Sequence, residues 1–363
     1  MLLNAFDVDP GAAERSVELR HGELFALGLQ PDLLVVSAYA GNYEAVPGTL
    51  VERLLTACGL ELGRLPRQLD LSGTAVGAWI TPALADLNLP RQWPAGSSTR
   101  FRRLAVIESP VQQPDADQSW PVFRQLFSLL ALLPLQGIHC PVVAVPLLSA
   151  GNQGIAPARL FPDLLERCRD GFRHVPDLER LIVFDRQLQA LDRLAAEIDA
   201  ELGRFPSERQ LLPLQDPGLL PAGLLQTLAG FQRIHPQLEA GSDLAELEHL
   251  LSGMETTAVA LGFHGRRLVE QLVRQRLGWT QGTLYEGIQA LSRDGLNPWI
   301  GSCLHQVRVF GNWMGHPSPP GQRRSVTAVD VSAMLMALQR VLEDYPWTLG
   351  NPVVRRRVHV NRT

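Results

Sequence analysis

Three stretches combine residue types and spacing that suit chemistry. The first is Ser149-Ala150-Gly151-Asn152-Gln153-Gly154, which follows the apolar run Pro141 to Leu148 and precedes a helical pattern beginning near Ala158. A strand, a glycine loop and a helix together hold an anion well. Glycines bring the backbone close, amides point at the charge, and the helix start adds positive potential. The second is Tyr39-Ala40-Gly41-Asn42-Tyr43, a small-polar loop after the buried-strand pattern Asp32 to Ala38, with Glu44 just beyond. The third is RVFGNWMGHP, in which Arg308, Asn312 and His316 stand at i, i+4 and i+8 and share one face of a helix that Pro317 would end. Its structural alternative is hydrogen bonding within a bundle, with Arg308 paired to a carboxylate such as Glu270.

These residues need elements to position them. Val142 to Val145 has the composition of a strand buried on both faces, as does Asp32 to Ala38. His21-Gly22-Glu23-Leu24 reads as a strand leading into a turn. Gly73 to Thr81, Leu104 to Ser109 and Leu181 to Asp185 are further strand candidates. Helical periodicity covers Thr49 to Cys58 with Gly59 as its stop, then Val122 to Leu133, Leu160 to Phe172 and Leu188 to Leu202. Strands alternating with helices imply a mostly parallel, layered α/β domain over residues 1–204. In such sheets ligands sit beyond the carboxyl ends of the strands, where both loops fall.

Residues 205–242 are rich in Pro, Leu and Gly and read as a connector with one short helix at most. Beyond them the strand signal disappears. Leu244 to Leu277 is long and helix-patterned apart from Gly253, Gly262 and Gly265, and is followed by Leu284 to Leu291, Pro298 to Trp313 and Ala328 to Glu343, an all-α bundle over 243–347. Residues 348–363 form a basic tail containing Arg355-Arg356-Arg357. It reads as a solvated terminus, with nucleic-acid contact as the weaker alternative.

The bulk composition narrows the function classes. The 363 residues are long enough for two domains with their own cores, and 45% apolar with 19% charged residues is ordinary for a soluble protein. A net charge of −4 gives no global electrostatic case for nucleic acid. Every basic residue other than histidine is Arg. With no Lys, Schiff-base chemistry and a phosphate-binding lysine are excluded. Cys58, Cys140, Cys168 and Cys303 are widely spaced and read as buried free thiols of a reducing compartment, with no metal site. No secretory signal is visible, and the apolar stretch Leu126 to Leu135 is too short to span a bilayer. A soluble, cytoplasmic protein with no membrane partner is expected.

Over about residues 20–204 the order of these pieces resembles the macro domain, the ADP-ribose-binding module. Gly22-Glu23-Leu24 is similar to the family's Gly-Asp-Ile turn. Asp32 to Ala38 resembles the strand before its Asn-Ala-Ala-Asn loop, with Ser37 in place of the first Asn. Val145 to Gly154 is similar to its strand and Ser-Thr-Gly-x-x-Gly loop. The fold this implies is a macro-like three-layer α/β/α domain followed by the all-α helical bundle. The ligand it implies is ADP-ribose or a related NAD-derived nucleotide, with no cofactor required. By the resemblance, Glu23 accepts from the adenine amine, Ser149 to Gly154 wrap the diphosphate, Ser37, Ala38, Gly41 and Asn42 line the first loop, and Phe184 and Asp185 line the adenine side. The glycine triplet of macro-domain hydrolases is missing from Ala40 to Leu50, where Asn42 and Glu44 are the polar candidates for orienting water. Binding is therefore favoured over ADP-ribosyl hydrolysis.

The Arg308, Asn312, His316 helix resembles that of HEPN-like helical domains, and Arg266-Arg267-Leu268-Val269-Glu270 is similar to their first long helix. That resemblance implies a homo-oligomer formed through the helical domain, and a ribonuclease as the enzymatic alternative. Arg308 and His316 stand about 12 Å apart along a helix rising 1.5 Å per residue, farther than the family's catalytic pair. Modules of these two kinds occur together in bacterial conflict systems, which implies a role in anti-phage defence.

Overall fold

Leu33 to Val36, every one of them buried, form the middle of the sheet around which the first half of the chain is built. The computed structural model describes residues 1–8, 15–87, 93–109, 120–147, 164–210, 212, 223–236, 238, 241–253, 256–316 and 325–350. The chain divides into two compact units, one ending at Gly203 and the other starting at Arg204.

The first unit is α/β. Its strands are β1 (Leu2–Asp7), β2 (Ser16–His21), β3 (Leu33–Tyr39), β4 (Leu69–Asp70), β5 (Ala78–Ile80), β6 (Arg103–Ser109), β7 (Val142–Pro146) and β8 (Arg180–Asp185). They form one sheet in the order β1-β2-β8-β7-β3-β6-β5-β4. The five strands from β2 to β6 in that order run parallel, and antiparallel strands extend the sheet at both edges. Helices α2 (Trp120–Leu132), α3 (Leu164–His174) and α4 (Leu188–Leu202) accompany α1 (Leu50–Cys58). Alternation along the parallel strands sends Leu33 and Val35 into a core with α2, α3 and α4. Leu34 and Val36 enter a second core with α1. Each Leu or Val so enclosed contributes about 1.5–3 kcal/mol.

Local signals explain the elements that end where expected. Thr49 Oγ1 accepts from the Glu52 amide at the start of α1, and Gly59, at φ 68°, ends it in the left-handed region. The strand expected over Gly73 to Thr81 is confined to β5, because Gly77 turns at φ 54° and donates its amide to Thr74. β1 was not anticipated. Asn4 interrupts its apolar run, yet Asn4 is fully buried and donates to Ala195 O and Asp199 Oδ1, each at 2.9 Å, tying β1 to α4.

The second unit is helical among the described residues: α5 (Leu224–Ile234), α6 (Gly241–Ser252), α7 (Ala258–Leu277), α8 (Leu284–Arg293), α9 (Pro298–Gly315) and α10 (Ala328–Glu343). The segment read as a connector thus carries α5 and the start of α6. The helix-patterned stretch from Leu244 to Leu277 is two helices that part near Gly253, where Thr257 takes an extended conformation and its Oγ1 caps α7 through the Ala260 amide, while Gly262 and Gly265 lie within α7. α9 packs closely on α7. A Cβ at Gly311 would lie 2.4 Å from Arg266 Cβ and 2.8 Å from the Gly262 carbonyl, so only glycine fits. No helix among the described residues is long and apolar enough to cross a membrane. The Arg355–Arg362 tail lies outside the described residues.

Candidate functional site

A cavity of about 440 Å³ opens beyond the carboxyl ends of β2, β3, β7 and β8, the edge at which parallel α/β sheets hold ligands. Gly22, at φ 144°, turns the chain out of β2 and donates its amide to Asp185 O at 2.9 Å, which brings Glu23 to the rim beside the end of β8. Ser37, Ala38 and Tyr39 close β3 on a second side. Pro146 and Leu147 leave β7 on a third, and Gly48 to Val51 with Arg53 form the wall made by the start of α1. The volume suits a nucleotide-sized ligand.

Charges of both signs surround this space. Glu23, Glu44 and Asp185 line it, as do Arg53 and Arg186. Arg53 Nη2 and Nε donate to the same oxygen, Glu23 Oε2, at 3.0 and 3.3 Å. Asp185 Oδ1 accepts from the Gln187 amide at 2.7 Å. Burial pushes the Asp185 carboxyl above its ordinary range, outweighing the Gln187 and Arg186 amides and the Arg186 and His21 charges that favour ionisation. Asn42 Oδ1 accepts from the Glu44 amide at 3.0 Å, so its carbonyl shapes the turn and its Nδ2 is the part left to a ligand.

The loop carrying Asn42 and Glu44 is pinned from outside the cavity. Tyr43 donates to Glu108 and accepts from Arg67 Nη2 at 2.9 Å and Trp79 Nε1 at 3.2 Å. The Arg67 guanidinium lies 4.7 Å from the Trp79 ring centroid. Burial, then the Glu108 hydrogen bond, raise the Tyr43 pKa. Phenol, carboxylate and stacked guanidinium therefore hold the loop against the sheet, an arrangement with no local sequence signature.

Of the residues singled out in the sequence, Glu23, Ser37, Ala38, Asn42, Glu44, Phe184 and Asp185 line this cavity. Gly41 sits at the exposed turn of the same loop, at φ 69°, and is not part of the lining. Ser149, Ala150, Gly151, Asn152, Gln153 and Gly154 lie outside the described residues. Arg53 and Arg186 escaped the sequence reading. Arg186 had a signal in its adjacency to Asp185. Arg53 had none, because its meaning depends on which residue lies opposite.

In the helical unit, Arg308, Asn312 and His316 lie along α9 and its cap. His316 Nε2 stands 2.7 Å from Arg266 Nη1 of α7. A guanidinium nitrogen can only donate, so that imidazole nitrogen accepts. Arg308 donates from Nε to His305 Nδ1 at 3.4 Å and lies 5.3 Å from the Tyr285 ring centroid. Burial and the Arg266 charge lower its pKa. Glu270, the expected carboxylate for Arg308, pairs instead with Arg274 one turn along α7. The sequence reading also passed over Asp243, which braces α6 to α7 through His264 Nδ1 at 2.8 Å and Gln271 Nε2 at 3.1 Å.

Residues 250–349 match a family described as a domain of unknown function (DUF4145). None of the curated proteins matches the chain. Among solved structures, a Trypanosoma brucei macrodomain in complex with ADP-ribose is 17% identical, with 53% of this chain and 74% of that chain covered and a TM-score of 0.36. The T. brucei macrodomain in complex with ADP is 16% identical, covering 50% and 68% with a TM-score of 0.31. Thermosipho africanus DarTG in complex with ADP-ribose is 12% identical, covering 53% and 47% with a TM-score of 0.33.

Proposed function

We propose that the α/β unit binds an ADP-ribose-type, NAD-derived nucleotide in the cavity and that the helical unit, read as HEPN-like, responds or assembles. One observation carries this. Gly22-Glu23, Ser37-Ala38 and Phe184-Asp185, taken from three separate strand ends, converge on one cavity of nucleotide size. That convergence supports reading Glu23 as the acceptor for an amino-purine and Phe184 as part of the same subsite, as the macro-domain resemblance implies. ADP-ribose at millimolar concentration is expected to raise the melting temperature, since a ligand held only by the folded state stabilises it by about 2.7 kcal/mol at one hundred times its Kd. No shift with ADP-ribose overturns the proposal.

A second reading, ADP-ribosyl hydrolysis, is favoured by the placement of Asn42 and Glu44 on the cavity wall. Release of ADP-ribose from a modified protein by wild type, and its loss in Asn42→Ala, would move the assignment there. Binding is preferred because Ala40 to Leu50 lacks the glycine triplet of the macro-domain hydrolases. The ribonuclease reading is weakened by the Arg266 contact, which occupies one imidazole nitrogen of His316. An anti-phage role rests on the resemblance alone.

A further inference from the structure

We propose that Arg53 sets the base selectivity of the cavity by acting through Glu23, so that the preferred ligand presents an exocyclic amine where its base meets that carboxylate. This rests on the nucleotide-binding reading of the cavity. Both contacts of the Arg53 guanidinium go to Glu23 Oε2, at 3.0 and 3.3 Å. Among the described residues no group donates to Oε1, and both side chains line the cavity. Their exposures, 50% for Arg53 and 43% for Glu23, make this a solvent-facing pair that adds little to folding. Stability therefore does not account for its position.

Its chemistry does. An unpinned glutamate turns about its last torsion and offers either oxygen in many directions. Pinned at Oε2, it offers Oε1 in one direction. The guanidinium only donates, and the carboxylate oxygen it leaves open accepts. Such a group takes the 6-amino group of adenine. Against the 6-oxo group of hypoxanthine it sets oxygen facing oxygen, and the carboxylate reaches the neighbouring ring N–H only by giving up its contact with Arg53. Removing Arg53 lifts that cost, so selectivity falls while an acceptor remains. Arg53 is thus a positioning residue. It reaches Glu23 from the first turns of α1, across the cavity from the end of β2.

The test is calorimetric titration of the full chain with ADP-ribose and with inosine diphosphate ribose, its hypoxanthine counterpart. Wild type is expected to prefer ADP-ribose by about threefold to fivefold, the scale of the exposed ion pair that the carboxylate gives up to reach the ring N–H. In Arg53→Ala the ratio falls toward one while ADP-ribose still binds, and Arg53→Lys recovers part of it. In a Glu23→Gln background, adding Arg53→Ala leaves the ratio unchanged. Equal affinities in wild type, an unchanged ratio in Arg53→Ala, or a loss equal for both ligands overturns the inference. A wild type that binds neither nucleotide overturns the nucleotide-binding reading instead.

Discussion

Glu18 and Glu23 stand on either side of the end of β2, and each meets arginine, yet the surroundings give the two pairs opposite uses. Glu18 is fully buried between strands. It receives Arg20 Nε at 2.8 Å on one oxygen and Arg180 Nε and Nη2 at 2.8 and 2.7 Å on the other. Glu23 opens on the cavity and is held by Arg53 at one oxygen. Burial makes the first assembly expensive to disturb, because Arg20 is itself buried and would keep its charge with one carboxylate fewer. Exposure makes the second cheap to rearrange, so a ligand can compete there. The same pair of residue types thus builds a strand-to-strand brace in one place and an adaptable recognition group in the other.

The largest expected effect tests the brace. Glu18→Ala takes the carboxylate from the buried Arg20 and the partly exposed Arg180 and is expected to cost about 3–5 kcal/mol in urea unfolding followed by circular dichroism. A cost below about 1 kcal/mol would put the two pairs in one class and end the contrast. Arg53→Ala should cost no more than about 1 kcal/mol in the same assay. A loss well above that would make the cavity pair structural.

The smallest effect is a slope, and it concerns a third carboxylate. Asp185 faces the same cavity with its pKa raised by burial. Because the folded value lies above the unfolded one, the native state holds the proton more tightly between the two. The group's contribution to stability therefore declines as pH rises through that interval. Asp185→Asn removes the decline, so the urea midpoint of wild type should fall relative to the variant as pH rises from the acid range. A difference between the two that is constant with pH would show that Asp185 is not so burdened.

Elements with strong local signals were legible in the chain. α4 runs from Leu188 to Leu202 as its periodicity requires, α10 from Ala328 to Glu343, and α1 between its Thr49 and Gly59 caps. β1 was not legible, because a short apolar run with a central Asn is a strand only once α4 supplies partners for that amide. The break before α7 had Gly253 as its one signal, because Thr256 and Thr257 are compatible with helix until Thr257 caps the next one. At the cavity, Glu23, Phe184 and Asp185 announced themselves by sitting at the ends of strand patterns. Arg53 looked like any solvent-facing residue of an amphipathic helix.

What the chain by itself determined is the inventory: alternating buried strands and helices, a lysine-free set of cations, and an acid placed where a strand turns outward after glycine. Those follow from side-chain period and backbone freedom, which act over a few residues. Tertiary structure alone decided how the inventory is used. It enclosed Glu18 between two arginines, opened Glu23 to a cavity, and brought Arg53 from α1 to hold it at one oxygen. Burial and the approach of distant side chains are properties of packing, and they set whether a glutamate braces a sheet or reads a ligand.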